Sequence, residues 1–183
     1  VDMVNESNYS VRHLDLRKYD STFDHAISHL LVYQDRIIIN TDGGGLWQYD
    51  PAVNKVRKIK VKDIINEEIR QIKVESNSLL LVTAHKIIST DLNNTTTLFN
   101  DQNILITDVT RYENHYLIGT ENGLYQTNLD FSNLSKLRTP PRKRYLNKIN
   151  TITVQGQTAW IGTSGGLLKL KDGTFSLYRS DID

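Results

Sequence analysis

The sequence predicts an all-β fold, a β-propeller of four-stranded blades, and three observations predict it. First, one segment recurs four times: Arg36 to Trp47, Ser78 to Ile88, His115 to Tyr125 and Thr158 to Leu168. Each copy is an apolar run ending in threonine, a tight turn, and a second apolar run. Second, the anchoring threonines, Thr41, Thr83, Thr120 and Thr163, lie 42, 37 and 43 residues apart. A period of about 40 residues made only of short strands is that of a propeller blade array. Third, the runs alternate apolar and polar residues over about four to eight positions, the period of a strand rather than a helix.

Each repeat divides into four strands, lettered A to D from the inside outward. In the first they are Ile27 to Tyr33, Arg36 to Thr41, Leu46 to Tyr49 and Val56 to Val61. In the second they begin near Ile69, Leu79, Ile87 and Thr95. In the third they begin near Ile106, Tyr116, Leu124 and Leu134, and in the fourth near Ile149, Ala159, Leu167 and Thr174. Asp42 to Gly45, Asn122-Gly123, Gly165-Gly166 and Asp172-Gly173 punctuate them as turns. Glycine just before strand C suits a turn residue of positive φ. Lys86 occupies that place in the second repeat, so its turn must differ or Lys86 is strained. Ile38, Leu80, Leu117 and Trp160 share one position, three residues before the threonine, and are expected to form a packing layer between blades. Trp47 falls on strand C and is likewise expected in the core. Arg57, Lys58, Lys60 and Lys62 interleave with Val56, Ile59 and Val61 on the outer strand, where charge discourages edge pairing.

The expected organisation is an N-terminal segment, 1–26, and four blades at about 27–63, 64–101, 102–139 and 140–183. Ser10 to Leu16 has the alternation of one strand, which would complete the last blade or remain from a preceding one. Propellers close with 4–8 blades, so four repeats point to part of a larger propeller. Open end blades would leave apolar faces and favour self-association as a homodimer.

The bulk properties narrow the function classes. Lys plus Arg total 22 against 21 acids, giving a net charge of +1, whereas a nucleic-acid surface needs a basic excess. No apolar run approaches the ~20 residues of a membrane span. Val1 to Glu6 is short and acidic and does not match a signal peptide. The absence of cysteine excludes disulfides, thiolate metal sites and a cysteine nucleophile. His25 and His29 have the spacing of a zinc pair on a helix. On strand A, however, they would stand about 13 Å apart, too far to share a metal. No nucleophile elbow or Walker loop is present, and Gly43 to Gly45 leads into a strand rather than a phosphate-binding helix. No metal, cofactor or catalytic residue is assigned.

The stretch Ile149 to Leu170, with its Trp160-Ile-Gly-Thr163 and Gly165-Gly-Leu167, closely resembles the two-component regulator propeller repeat. Leu117-Ile-Gly-Thr-Glu-Asn-Gly-Leu-Tyr125 is a second good match, Ile38 to Trp47 a fair one, and Leu80 to Ile88 a degenerate one. The resemblance spans roughly residues 27 to 179. Kelch repeats are the nearest rival, through Gly43-Gly44 and Tyr49 to Asn54, but Val56 stands where their late tryptophan is expected. The resemblance implies a periplasmic or extracellular sensor module of hybrid histidine kinases or diguanylate cyclases, with any catalytic output domain outside this chain. It implies a small polar ligand such as an oligosaccharide.

Connectivity places the B-to-C turns and the D-to-A connections on one face, where propellers often bind ligands. Asp42, His85, Glu121, Asn122 and Ser164 are expected there, with Arg142, Arg144 and Tyr145 from the basic loop 138–145. The guanidinium groups of that loop could fork onto a carboxylate. The leading expectation is a non-enzymatic ligand sensor, and the alternative is a protein-interaction propeller. A glycosidase would need two carboxylates ~5 Å or ~6.5–9.5 Å apart, and nothing in the sequence brings Asp42 and Glu121 together.

Overall fold

The computed structural model describes residues 2–4, 11–21, 23–61, 64, 67–140 and 147–178, with 2–4 and 11–13 described by their backbone. It divides into two compact units, Val1–Val61 and Lys62–Asp183.

In the first unit, β1 (Asp2–Val4) pairs antiparallel with β2 (Val11–His13). Among the described residues the N-terminal segment therefore holds two short strands rather than the one expected, and they form a separate two-stranded sheet. A short 3-10 turn, Leu16–Lys18, follows, and the Asp15 side chain accepts the Arg17 N–H at its start. The first blade is the antiparallel sheet β3 (Ile27–Tyr33), β4 (Arg36–Thr41), β5 (Gly45–Asp50) and β6 (Lys55–Ile59), in that order. Leu14 and Leu16 pack on Ile39, Trp47, Tyr49 and Val56, and Phe23 meets Trp47 edge-on at 6.0 Å. The segment before the blade thus covers much of one sheet face and buries Trp47, as expected of a core residue. Leu30 and Val32, paired with Ile39 and Ile37 and so on the same face, stay exposed.

The outer strand ends at Ile59, two residues earlier than the alternation suggested. Its cations are engaged locally. Arg57 donates to the Gln48 side-chain oxygen at 2.9 and 3.2 Å, and Lys58 sits 5.3 Å from the Trp47 ring centroid and 3.9 Å from Asp20. Lys62 lies outside the described residues.

The second unit holds three blades. They are β7 (Gln71–Glu75), β8 (Ser78–Val82), β9 (Lys86–Thr90) and β10 (Thr95–Asn100); β11 (Ile106–Tyr112), β12 (His115–Thr120), β13 (Gly123–Asn128) and β14 (Leu134–Lys136); and β15 (Ile149–Gln155), β16 (Thr158–Thr163), β17 (Gly166–Lys171) and β18 (Thr174–Tyr178). Each is an antiparallel meander in chain order, so the expected propeller blades are what the chain forms.

The seams follow from period two on β12. Tyr116 and Ile118 turn toward the second blade and pack with Leu80, Val82, Ile87, Ile106 and Val109. Leu117 turns the other way and packs with Leu124, Ile149, Ile152, Ala159, Ile161 and Leu168. Most of these side chains are nearly inaccessible, and each is worth about 1.5–3 kcal/mol on burial.

Trp160 corrects one expectation. It occupies the packing-layer position held by Leu80 and Leu117, yet it is half-buried. Those two leucines are covered by the blade that follows. Over the fourth blade the Trp160 ring meets groups of its own sheet among the described residues, Tyr178 at 5.8 Å and Lys169 at 5.5 Å. Leu167, on the same face by register, is 41% exposed.

The inner strands β3, β11 and β15 each slip register after their first residue, at Ile27/His29, Ile106/Asp108 and Ile149/Thr151. A bulge of this kind re-aims a side chain, and on β11 the side chain re-aimed is Asp108.

Candidate functional site

The recurring threonine is chemically explained by its turn. Thr41, Thr120 and Thr163 each donate their hydroxyl to the carbonyl of the glycine opening strand C, Gly45, Gly123 and Gly166, at 2.7–2.9 Å. Thr120 and Thr163 also accept the N–H two residues on, from Asn122 and Gly165. The hydroxyl thereby closes the turn from inside. The second blade lacks the glycine. There Lys86 begins its strand without positive φ, and Thr83 accepts the His85 and Lys86 N–H groups. Thr83 donates its own proton to Glu67 at 2.8 Å, and Glu67 also pairs with Lys86. Burial works against the Glu67 charge, but these hydrogen bonds hold its carboxyl below the usual range.

In the first, third and fourth blades the B-to-C turn is tied by a backbone bond to the segment leading into its own strand A. Asp42 N–H bonds Ala26, Glu121 N–H bonds Leu105, and Ser164 N–H bonds Lys148. Within the second unit these ties join into a row. The His85 ring Nδ1 meets the Ile104 carbonyl at 2.9 Å, beside Leu105. The Glu121 carboxylate then receives Lys148 Nζ at 2.6 Å, and the Lys148 carbonyl accepts Ser164 N–H at 3.0 Å. His85, Glu121, Asn122 and Ser164 thus lie along one polar rim of three consecutive turns. Asp42 occupies the corresponding turn of the first unit. Arg142, Arg144 and Tyr145 lie outside the described residues. His25 precedes β3 and packs edge-on against Phe23, while His29 meets the Ser28 hydroxyl. Among the described residues no group of three His, Asp or Glu side chains could hold a metal ion.

Two polar clusters escaped the sequence reading. Asp108, 5% exposed, joins the inner strands of three blades. One oxygen accepts from Gln71 Nε2 at 2.8 Å and Lys73 Nζ at 3.3 Å; the other accepts Ile152 N–H at 2.6 Å and Thr151 Oγ1 at 3.2 Å. Its partners are protein groups, so its role is cohesive. The second cluster lies at the opposite end of the second and third blades, where Glu75, Arg111 and Tyr116 converge on a cleft. Arg111 Nη1 stands 3.7 Å from Glu75 Oε2, and the Tyr116 ring stacks on Phe131 with centroids 4.8 Å apart.

Burial pushes the Tyr116 phenol up to about 12, with the Glu75 charge and hydrogen bond adding and Arg111 opposing. The folded state therefore holds this proton more tightly than the unfolded chain does. The stabilisation is complete below the unfolded value of about 10 and is lost as pH rises through about 12. Tyrosinate absorbance should show one phenol titrating last, and Tyr116→Phe should remove that component. If the last-titrating component survives the substitution, the burial argument is wrong.

No protein-family model and no curated protein matches the chain. Among solved structures it is similar to the extracellular domain of BT4673 from B. thetaiotaomicron, described as a hybrid two-component system. The identity is 20% over 98% of this chain and 25% of that chain, with a TM-score of 0.70. The extracellular domain of BT3049 from the same organism, also described as a hybrid two-component system, is 18% identical over 91% of this chain and 23% of that one, at 0.65. PorZ, a surface component of the type-IX secretion system of Porphyromonas gingivalis, is 13% identical over 86% of this chain and 28% of that one, at 0.63. The chain spans about a quarter of the length of these structures. At such identities the likeness is one of fold, and the first two are of the class that the repeat motif resembles. Among the described residues no helix is long and apolar enough to cross a membrane.

Proposed function

We propose that this chain is a ligand-sensing, extracytoplasmic propeller segment of a two-component-type signalling protein, with no catalytic centre of its own. The observation that carries this reading is a shared identity of fold and motif. The chain has the fold of extracellular domains of hybrid two-component systems over nearly its whole length, and its own repeats have the corresponding pattern. The ligand is a small polar molecule, for which an oligosaccharide is the leading class. The rim of B-to-C turns in the second unit, with His85, Glu121, Asn122 and Ser164, offers a carboxylate, an imidazole, an amide and a hydroxyl; Asp42, in the corresponding turn of the first unit, and Arg142, Arg144 and Tyr145 are assigned to the same role from the sequence. Thermal unfolding against a broad glycan panel tests the reading. One class of oligosaccharide should raise the midpoint with increasing concentration, because a ligand of the folded state stabilises it by mass action. A flat response to every glycan from a well-folded sample would remove the carbohydrate assignment.

A second reading, a protein-interaction module that includes a homodimer, is favoured by the exposed apolar side chains on end blades. Leu30 and Val32 in the first blade, and Leu167 and Tyr178 in the fourth, are exposed on sheet faces, with the half-buried Trp160 beside the latter two. Sedimentation velocity should reveal a mass that grows with concentration, and Leu30→Lys with Val32→Lys should reduce it. A constant monomer mass over the whole concentration range would count against this reading.

A further inference from the structure

We propose that the cleft between the second and third blades, at the end opposite the B-to-C turns, binds a neutral ligand carrying adjacent hydroxyls, about the size of one sugar ring. This deepens the ligand-sensing reading and rests on it, but it moves the primary contact away from the rim.

The cleft has a volume of about 460 Å³, within the range of small-molecule sites. Its lining includes Ser78, Ser89 and Thr96 of the second blade and Arg111 and Tyr116 of the third. The charge accounting disfavours an anionic ligand. Asp91, also at the cleft, is committed to its own turn: it accepts N–H groups of Asn93 at 2.8 Å and Asn94 at 2.6 Å, and the Asn94 amide at 3.1 Å. Those bonds hold Asp91 ionised, so beside Glu75 and Arg111, which are equal and opposite, the lining keeps the net negative charge of Asp91 and an anion gains no attraction.

The spacing of that pair selects the hydroxyl. At 3.7 Å the guanidinium and carboxylate are too far apart for a direct hydrogen bond. A hydroxyl is both donor and acceptor. Atoms 3.7 Å apart leave no room for an oxygen between them, but two hydroxyls on adjacent carbons can lie side by side along the pair, one accepting from Arg111 Nη1 and the other donating to Glu75 Oε2, each in a charge-assisted bond. The rest of the ring would then lie against the serine and threonine lining. An apolar ligand would strip these groups of water without replacing their bonds. Tyr116, nearly inaccessible and stacked on Phe131, forms a rigid floor beneath the pair. Because the walls come from two blades, an occupant adds bonds across their seam.

The test is an amide-shift titration of the ¹⁵N-labelled full chain with glucose, galactose, mannose, N-acetylglucosamine and inositol, and with glucuronate as the charged counterpart. Saturable shifts are expected at amides of 75–78, 89–96 and 111–116 with at least one neutral compound. Arg111→Ala should weaken that binding about tenfold or more, the loss of a hydrogen bond to a charged group. Should Arg111→Ala lose the dispersed spectrum of a folded chain, Arg111→Lys, which keeps charge but not the fork, takes its place with the same expectation. Saturable shifts confined to His85, Glu121 and Ser164 would overturn the cleft and leave the sensing reading standing. An affinity unchanged by the Arg111 variants would do the same. No saturable shift with any neutral compound overturns the proposal, and a response to glucuronate alone would do so while retaining a sensor of charged sugars.

Discussion

Asp108→Ala is expected to lower the stability of the three-blade unit by about 3–5 kcal/mol, the cost of breaking a buried, hydrogen-bonded charge. The carboxylate is 5% exposed and receives four bonds from outside its own strand, two from β7 and two from β15. Alanine removes every acceptor at once. The Ile152 N–H, held at 2.6 Å, is then stranded at a packed seam, and Lys73 loses its ion partner. Asparagine keeps the shape but exchanges one acceptor for a donor that faces other donors, so Asp108→Asn should cost about 1–3 kcal/mol. The exposed Lys171→Ala should stay within about 0.5 kcal/mol of the parent. Urea unfolding of the four proteins should rank them parent and Lys171→Ala, then Asn, then Ala. An alanine variant within about 1 kcal/mol of the parent would mean that water replaces the carboxylate at little cost, and the cohesive role would fall.

The strands were readable because their signals are local. Alternation, threonine before the turn and glycine after it all lie within one hairpin, and observed strand starts in the second unit fall within two residues of those expected. Even the departure at Lys86 was visible as a missing glycine, and the structure resolves it with a different turn closed by Thr83 and Glu67. Burial of Trp160 was not readable in the same way. Its position within the repeat is that of a core residue, but whether the position is covered depends on what packs over that sheet. The rim residues could be assigned to turns, while the ties that string them together, such as Lys148 between Glu121 and Ser164, cross between blades. Asp108 left a faint trace. Two positions after the first isoleucine of strand A stand Gln71, Asp108 and Thr151, polar in three successive blades where alternation alone would allow anything. Gln71 and Asp108 are 37 residues apart, the same interval as Thr83 and Thr120, so the repeat itself places them on neighbouring inner strands. Glu75 and Arg111 offer no such signal, since an acid and a base at strand ends are ordinary surface residues until a cleft joins them.

Gly119→Ala and Ile149→Ala are each expected to be destabilising, by about 1–3 and about 2–5 kcal/mol, yet together to cost clearly less than their sum. A Cβ on Gly119 would lie 2.6 Å from Ile149 Cγ2 and 3.1 Å from both Ile149 Cβ and Thr107 Oγ1. The backbone at Gly119 does not have positive φ, so the objection to alanine there is steric rather than conformational. Ile149 is fully buried in the seam between the third and fourth blades and has no room to retreat. Truncating Ile149 leaves a cavity, and it also removes the methyl that the new Cβ would strike. Each change therefore relieves part of the cost of the other, and the coupling should favour the double variant by about 0.5 kcal/mol or more. The same glycine in the next blade supplies the contrast. A Cβ on Gly162 would come no nearer than 3.1 Å, to Thr151 Cγ2, with only the Thr151 carbonyl beyond it at 3.9 Å. Gly162→Ala should accordingly cost less than Gly119→Ala, although both glycines occupy the same place in the Ile-Gly-Thr motif. Unfolding free energies of the four variants and the parent decide the matter. Strict additivity of the pair, or equal costs at the two glycines, would show that the motif glycine is needed within its own hairpin. The expected inequality would locate the need in the isoleucine of the following blade.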